Sequence, residues 1–182
     1  MEKKKLVIGI DGRGLDSKNR TGITTYMSEI IKRLNETDHV NTYYIYSNRE
    51  VFFDFKLNDN FEIRKYEGKK GTLGYYFRLP KILKEDKVDV LWGTQHCLPK
   101  RNKFTKNVKF ILTVHDLAIH KLKTVGELKN TIIQRLFLKR SCKNADEIIV
   151  LTDKGIEERG NHKELIERGG IYNKLNRYAK VN

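Results

Sequence analysis

The sequence predicts an α/β fold: a parallel sheet with helices on both faces, followed by a short helical C-terminal tail. Three observations predict it. Short apolar or aromatic runs recur along the chain, each the length of one strand. Segments with apolar residues at helical spacing lie between them. Polar loops, several bearing glycine, follow the runs. Strands that alternate with helices make βαβ units, and these build parallel sheets.

The elements follow in order. Lys5–Ile10 (KLVIGI) is an apolar run closed by Asp11-Gly12, a buried strand. A glycine-bearing loop runs from Asp11 to Gly22. Ile23, Met27, Ile30, Ile31 and Leu34 then predict a helix from about Thr24 to Asn35. Thr42–Ser47 (TYYIYS) is a second strand, rich in aromatic residues. Phe61–Tyr66 alternates and is a candidate third. Leu73, Phe77, Ile82 and Leu83 suggest a helix ending at Glu85, interrupted or begun near Pro80. Val88–Trp92 is a strand, and Lys109–Val114 (KFILTV) is the clearest one in the chain. Leu128, Ile132, Arg135, Leu136 and Lys139 mark an amphipathic helix over Glu127–Lys143. Glu147–Leu151 (EIIVL) closes the series.

The tail, residues 153–182, differs from residues 1–152. It reads as two short helices, Glu157–Arg168 and Gly170–Ala179, with no strand. Its basic residues outnumber its acidic ones only by seven to five, so the positive charge belongs mainly to the sheet domain.

The 182 residues carry a formal charge of +14, which points to an anionic partner: nucleic acid, an anionic membrane surface or phosphorylated small molecules. The chain is long enough to bury a core without staples. No stretch approaches 18 apolar residues, so no transmembrane helix is expected. The basic N-terminus leads into an apolar run too short for a secretory signal. Two cysteines, Cys97 and Cys142, form neither a CxxC pair nor a metal cluster. The expectation is a reduced, cytoplasmic chain with no metal.

In parallel sheets, ligands bind beyond the carboxyl ends of the strands. Four loops therefore hold the candidate site. The first is Asp11-Gly12-Arg13-Gly14 with Arg20-Thr21-Gly22 opening a helix. Glycines permit close backbone approach, and a helix N-terminus offers free N–H groups to a phosphate. Glycines that merely shape the turn are the alternative. No GxxxxGK[ST] occurs, and the loop lacks the third glycine of a dinucleotide fingerprint. The second is Thr113-Val114-His115-Asp116-Leu117. Its imidazole can donate to a hydroxyl or take a proton, and its carboxylate can orient the ring or accept from a sugar hydroxyl; a loop histidine with an aspartate capping the next turn is the alternative. The third, Gly93-Thr94-Gln95-His96, is balanced between substrate contact and loop polarity. The fourth, Thr152–Lys154, follows the last strand.

Two basic stretches complete the inventory. Lys69, Lys70, Tyr75, Tyr76 and Arg78 mix charge with aromatic rings. Lys100, Arg101 and Lys103 begin a run to Lys109 that contains no acid. Both suit a solvated basic face or an anionic lipid surface. No base-reading motif supports nucleic acid.

At these residues the chain resembles family 4 glycosyltransferases. The resemblance rests on Gly12-x-Gly14, then Thr21-Gly22-Ile23-x-x-Tyr26, then Val88–Trp92 with a loop ending at Leu98-Pro99. It continues through Thr113–Leu117, Arg135–Arg140 and Ala145–Val150. It covers residues 1–152 and looks like the N-terminal, acceptor-side, Rossmann-like half of a GT-B enzyme. It implies retaining transfer of a hexosyl group from a nucleotide-sugar to an acceptor hydroxyl, without a cofactor. It assigns Gly12, Gly14 and Gly22 to the donor phosphates and sugar. His115 reaches the transferred sugar and Asp116 orients it. Arg13, Thr94 and His96 become acceptor-side candidates. Some members act on lipid-linked acceptors, which implies a peripheral position at the inner membrane face. The second Rossmann-like domain, which holds most of the nucleotide, is not among these residues. The expectation is little activity from this chain alone, with a separate chain able to supply that domain.

The tail is similar to another family. Asp153-Lys154-Gly155, Glu158–Leu165 and Gly169–Tyr172 resemble the extreme C-terminus of ABC exporter ATPase domains. No Walker A motif accompanies them, so no ATP chemistry is implied. A basic, non-catalytic module binding membrane or polyanion is the competing reading, and a gene-fusion remnant is a third.

Overall fold

The computed structural model describes residues 4–15, 21–66, 72–95, 97–115 and 128–178. The chain divides into two compact units. One comprises Met1–Thr94 with Pro99–Lys109, and the other Gln95–Leu98 with Phe110–Asn182. Both are α/β.

In the first unit the strands are β1 (Val7–Asp11), β2 (Thr42–Ser47), β3 (Phe61–Lys65) and β4 (Val90–Gly93). They run parallel in the order β3-β2-β1-β4. Helix α1 spans Gly22–Thr37 and α2 spans Thr72–Glu85. Successive strand residues point to opposite faces. Ile10, Tyr43, Ile45 and Phe61 therefore share a face, where Met27 and Ile31 of α1 cover them. Tyr43 and Phe61 stack with centroids 4.3 Å apart. On the other face Tyr46 donates its hydroxyl to Asp86, just beyond α2, at 2.7 Å.

Tyr43 also donates to Asp38, which ends α1 and accepts from Asn41 and from the Val40 and Asn41 N–H groups. The Tyr43 hydroxyl and these N–H donors hold the Asp38 carboxyl well below the usual range.

Pro80 neither breaks nor begins α2, contrary to the sequence expectation; it lies inside a continuous helix. Proline has no N–H, so the Tyr76 carbonyl one turn earlier loses its helical donor. The Lys100 N–H from the following loop supplies the bond at 2.9 Å.

The second unit contains β5 (Lys109–His115) from Phe110 onward, β6 (Glu147–Thr152) and β7 (Gly155–Gly160), in that order. Its helices are α3 (Leu128–Asn144), α4 (His162–Arg168) and α5 (Ile171–Tyr178). Strands β5 and β6 are parallel, while β7 runs antiparallel to β6 with a bulge at Val150/Leu151.

The tail therefore contributes a strand, where the sequence predicted none and started a helix at Glu157. The run GIEERG holds a single large apolar residue, so its pattern reads as solvated surface. An edge strand needs only backbone pairing, and Gly155 at φ +101° permits the tight reversal out of β6. Helix α4 then begins at a capping box formed by Asn161 and Glu164, and it ends at Gly169 in the left-handed region.

The tail docks through Leu165 and Tyr172, both buried. Ile171 and Leu175 are only half-buried. The Tyr172 hydroxyl lies 2.6 Å from His162 Nδ1 and contacts the Cys142 thiol of α3. Burial pushes that thiol up to about 11.

Candidate functional site at the carboxyl ends of β1 and β4

Strand β1 has β2 on one side and β4 on the other, and the chain proceeds outward from it in both directions. In an open parallel sheet this switch of direction leaves a crevice at the carboxyl ends. The segments leaving β1 and β4 flank it. The two are tied together: buried Thr94 donates its hydroxyl to the Asp11 carbonyl at 2.8 Å.

Asp11 ends β1 fully buried. A carboxylate there needs a partner. Arg13 provides it two residues later, from a 3₁₀ turn over Arg13–Leu15. Its Nε lies 2.9 Å and its Nη2 2.7 Å from the two carboxylate oxygens, a bidentate pair. The guanidinium carbon sits 3.6 Å from the centroid of Tyr75, and the arginine side chain is only 9% exposed. Arg13 thus spends its charge inside the protein.

Gly12 fits closely against β2. Its N–H donates to the Tyr46 carbonyl at 2.9 Å, and an added Cβ would come within 2.6 Å of Ile45 Cγ2. Its lack of a side chain is accounted for by the strand alone. Gly14 accepts the Thr24 hydroxyl at 3.0 Å, pinning the loop to α1. Gly22 is different. It is exposed at the first turn of α1, with nothing among the described residues within 4 Å of an added Cβ. Thr21 caps that helix by accepting from the Thr24 N–H. The first N–H groups of a helix have no partner within it, so this end can receive an anion. Tyr26 meets Trp92 of β4 edge-on at 6.3 Å, which seats α1 beside the crevice.

The structure changes several assignments. Thr94 is committed to Asp11. Arg101 donates to the carbonyls of Thr105 and Val108, shaping its own loop. Tyr75 and Tyr76 are buried at 0% and 5% exposure, so they belong to the core and form no membrane surface. At helical spacing, the same run of aromatic residues turns them inward and leaves Leu73 and Phe77 outside, at 56% and 59%. Arg78, Lys100 and Lys103 are exposed. His96, Asp116, Lys69 and Lys70 lie outside the described residues.

His115 closes β5 in the second unit, paired in register with Leu151 and half-buried. In that unit Ser141 of α3 accepts from the Leu98 N–H at 2.8 Å. Sequence reasoning missed the Asp11–Arg13–Tyr75 assembly. An acid and a base two residues apart after a strand was its only local signal; Tyr75 comes from a distant helix. Among the described residues, no group of three His, Cys, Asp or Glu side chains could hold a metal. No described helix is long and apolar enough to cross a membrane.

Comparisons with known proteins place these observations. An ABC transporter ATP-binding protein of Bacillus subtilis, YwjA, is 33% identical over 107 residues, 53% of this chain and 18% of that protein. The ATP-dependent lipid A-core flippase of Photorhabdus laumondii is 54% identical over 37 residues, 20% of this chain and 6% of that protein. The chain thus spans less than a fifth of the length of either curated relative. A solved alpha-glucosyltransferase, in complex with UDP and a 13-mer DNA containing a central A:G mismatch, superposes with a TM-score of 0.38. It is 14% identical, and the match covers 82% of this chain and 37% of that one. The model of glycosyltransferase family 4 matches residues 20–158, more than half of the chain, and the chain belongs to that family.

Proposed function

We propose that the chain forms the acceptor-side half of a retaining glycosyltransferase that moves a hexosyl group from a nucleotide-sugar to an acceptor hydroxyl. The observation that carries the reading is the opening of α1. An exposed glycine opens α1 beside the switch point between β1 and β4, within a family 4 chain. Phosphate chemistry suits that end. The buried Asp11–Arg13 pair fixes the 3₁₀ turn over Arg13–Leu15 that leaves β1. His115 donates to, or takes a proton from, a sugar hydroxyl at the end of β5, with Asp116 as its orienting neighbour. No cofactor enters the scheme. Most donor affinity comes from a second Rossmann-like domain, so the 182 residues alone transfer little or no sugar.

Calorimetric titration of the chain with UDP- and GDP-sugars tests this. Saturable binding of one donor class is expected, weakened by His115→Ala without a change in thermal stability. Absence of binding to every donor, or binding indifferent to both His115→Ala and Gly22→Val, overturns it. The competing reading is a basic module at an anionic membrane. Exposed Phe77 with the Lys100 ammonium 5.9 Å from its ring centroid favours it.

A further inference from the structure

A cavity of about 550 Å³ opens at the opposite end of the first unit, beside the amino ends of β1 and β4. Four lysines line it: Lys84 and Lys87 from the end of α2, and Lys103 and Lys106 from the loop before β5. Its one carboxylate, Asp89, is already engaged, accepting from the Val7 N–H at 2.9 Å with Lys4 at 3.9 Å. None of the four ammonium groups meets a carboxylate among the described residues.

All four lysines are exposed, so solvent screens their mutual repulsion, and an anion entering the cavity meets like charges from two elements. A helix C-terminus attracts cations, which accounts for Lys84 and Lys87. It does not account for Lys103 and Lys106, which come from a separate loop. That loop is held in shape: Arg101 binds the Thr105 and Val108 carbonyls, and the Phe104 N–H binds Asn102. The Phe104 ring sits beside both Lys84 and Lys103, whose ammonium groups lie 5.6 and 5.3 Å from its centroid.

Lys87 adds an independent sign. It is the non-glycine residue with positive φ, +53°, among the described residues. It occupies the turn closing α2, where Val88 N–H reaches back to the Leu83 carbonyl and Lys87 N–H to that of Lys84. Glycine is the favoured residue at this position, because a side chain strains the left-handed conformation. The chain keeps a lysine there, at the cavity wall. Strain retained at one residue points to a use for its side chain.

We propose that this pocket binds a ligand carrying adjacent phosphate groups, of pyrophosphate type. Its volume is that of a small-molecule site, roughly 300–1,000 Å³. Four point cations from two elements suit several phosphate oxygens at once. The five residues of β1, roughly 16 Å of strand, separate it from the glycine loop. The inference stands apart from the donor reading above.

Inorganic pyrophosphate, titrated calorimetrically into the 182-residue chain, is the probe. One saturable site is expected. Lys103→Gln with Lys106→Gln weakens it at least about tenfold, the loss expected when a charge-assisted hydrogen bond is removed, and Lys106→Arg restores most of the affinity lost through that position. Lys87→Gly raises the melting temperature and weakens binding, whereas a purely structural lysine would change stability alone. Gly22→Val leaves the affinity unchanged. Absence of saturable binding overturns the proposal. Equal affinity in the lysine variants overturns it too, as does binding lost on Gly22→Val, which would place the anion at the other end of β1. A second arm uses phosphatidylcholine vesicles doped with phosphatidic acid. Vesicle binding that pyrophosphate displaces supports the pocket with a lipid-borne phosphate as its source. Absence of vesicle binding, alongside the saturable pyrophosphate site, supports a free solute. Vesicle binding that pyrophosphate and the lysine variants leave untouched, without a pyrophosphate site, overturns it.

Discussion

Two glycines of the same loop make opposite demands on a side chain. Gly12 has none to spare: a methyl group there meets Ile45 and the Tyr46 carbonyl. Gly12→Ala should cost about 1–3 kcal/mol in urea denaturation, the usual penalty for overpacking. Gly22→Ala should leave the midpoint unchanged, because no described residue lies within 4 Å of an added Cβ. If the helix end receives a donor phosphate, Gly22→Val weakens nucleotide-sugar binding while the fold holds. The sequence presented both glycines as one phosphate-binding pattern; their difference depends on β2, 30 residues away, and no local spacing reports it. Cys142 makes a second residue-scale case. Its raised pKa and burial keep it protonated, so iodoacetamide should scarcely label it at pH 8 in the folded chain. Labelling should rise as the pH climbs toward about 11, or at once on unfolding. Fast labelling of Cys142 in the native chain at pH 8 would show that the thiol is not buried in solution.

Elements were largely legible because β1, β2, β4, β5 and β6 are mainly apolar or aromatic runs, β3 alternates, and each main helix has its own periodicity. The exceptions are instructive. Helix α2 continues through Pro80 because an outside donor replaces the missing N–H. That donor belongs to Lys100, which no reading of residues 72–85 could supply. Lys100→Pro should therefore cost about 1–3 kcal/mol, the penalty for leaving a buried carbonyl unpaired. In a Pro80→Ala background the helix supplies its own donor, and the same substitution should cost less. A double-mutant cycle by chemical denaturation measures the difference. Strict additivity would mean that the two groups do not serve one carbonyl. Strand β7 was hidden for a different reason. Its exposed positions carry Glu157, Glu158 and Arg159, and an edge strand with such residues has the composition of a solvated loop.

For the molecule as a whole, the tail belongs to the fold of the second unit. It covers the outer edge of β6 and buries Leu165 and Tyr172. Removing residues 153–182 should leave EIIVL as an open apolar edge and make the chain aggregate, which light scattering during refolding would detect. A truncated chain that stays monomeric with native circular dichroism would disprove this. The candidate site was half legible at this scale. The alternation of elements made the parallel sheet and the carboxyl ends of its strands legible; the order β3-β2-β1-β4 and its switch point emerge only in the fold. The ion pair and the lysine pocket do not, since each gathers residues from distant segments.

The attachment of the tail has a consequence for ancestry. Strand β7 is held to β6 chiefly through backbone groups, which every sequence carries alike. Such a joint is indifferent to the lineage of the segment that fills it. A cassette from an unrelated gene, bringing one strand, a capped helix and a hydrophobic anchor, could be grafted there by recombination and adopted in a single event.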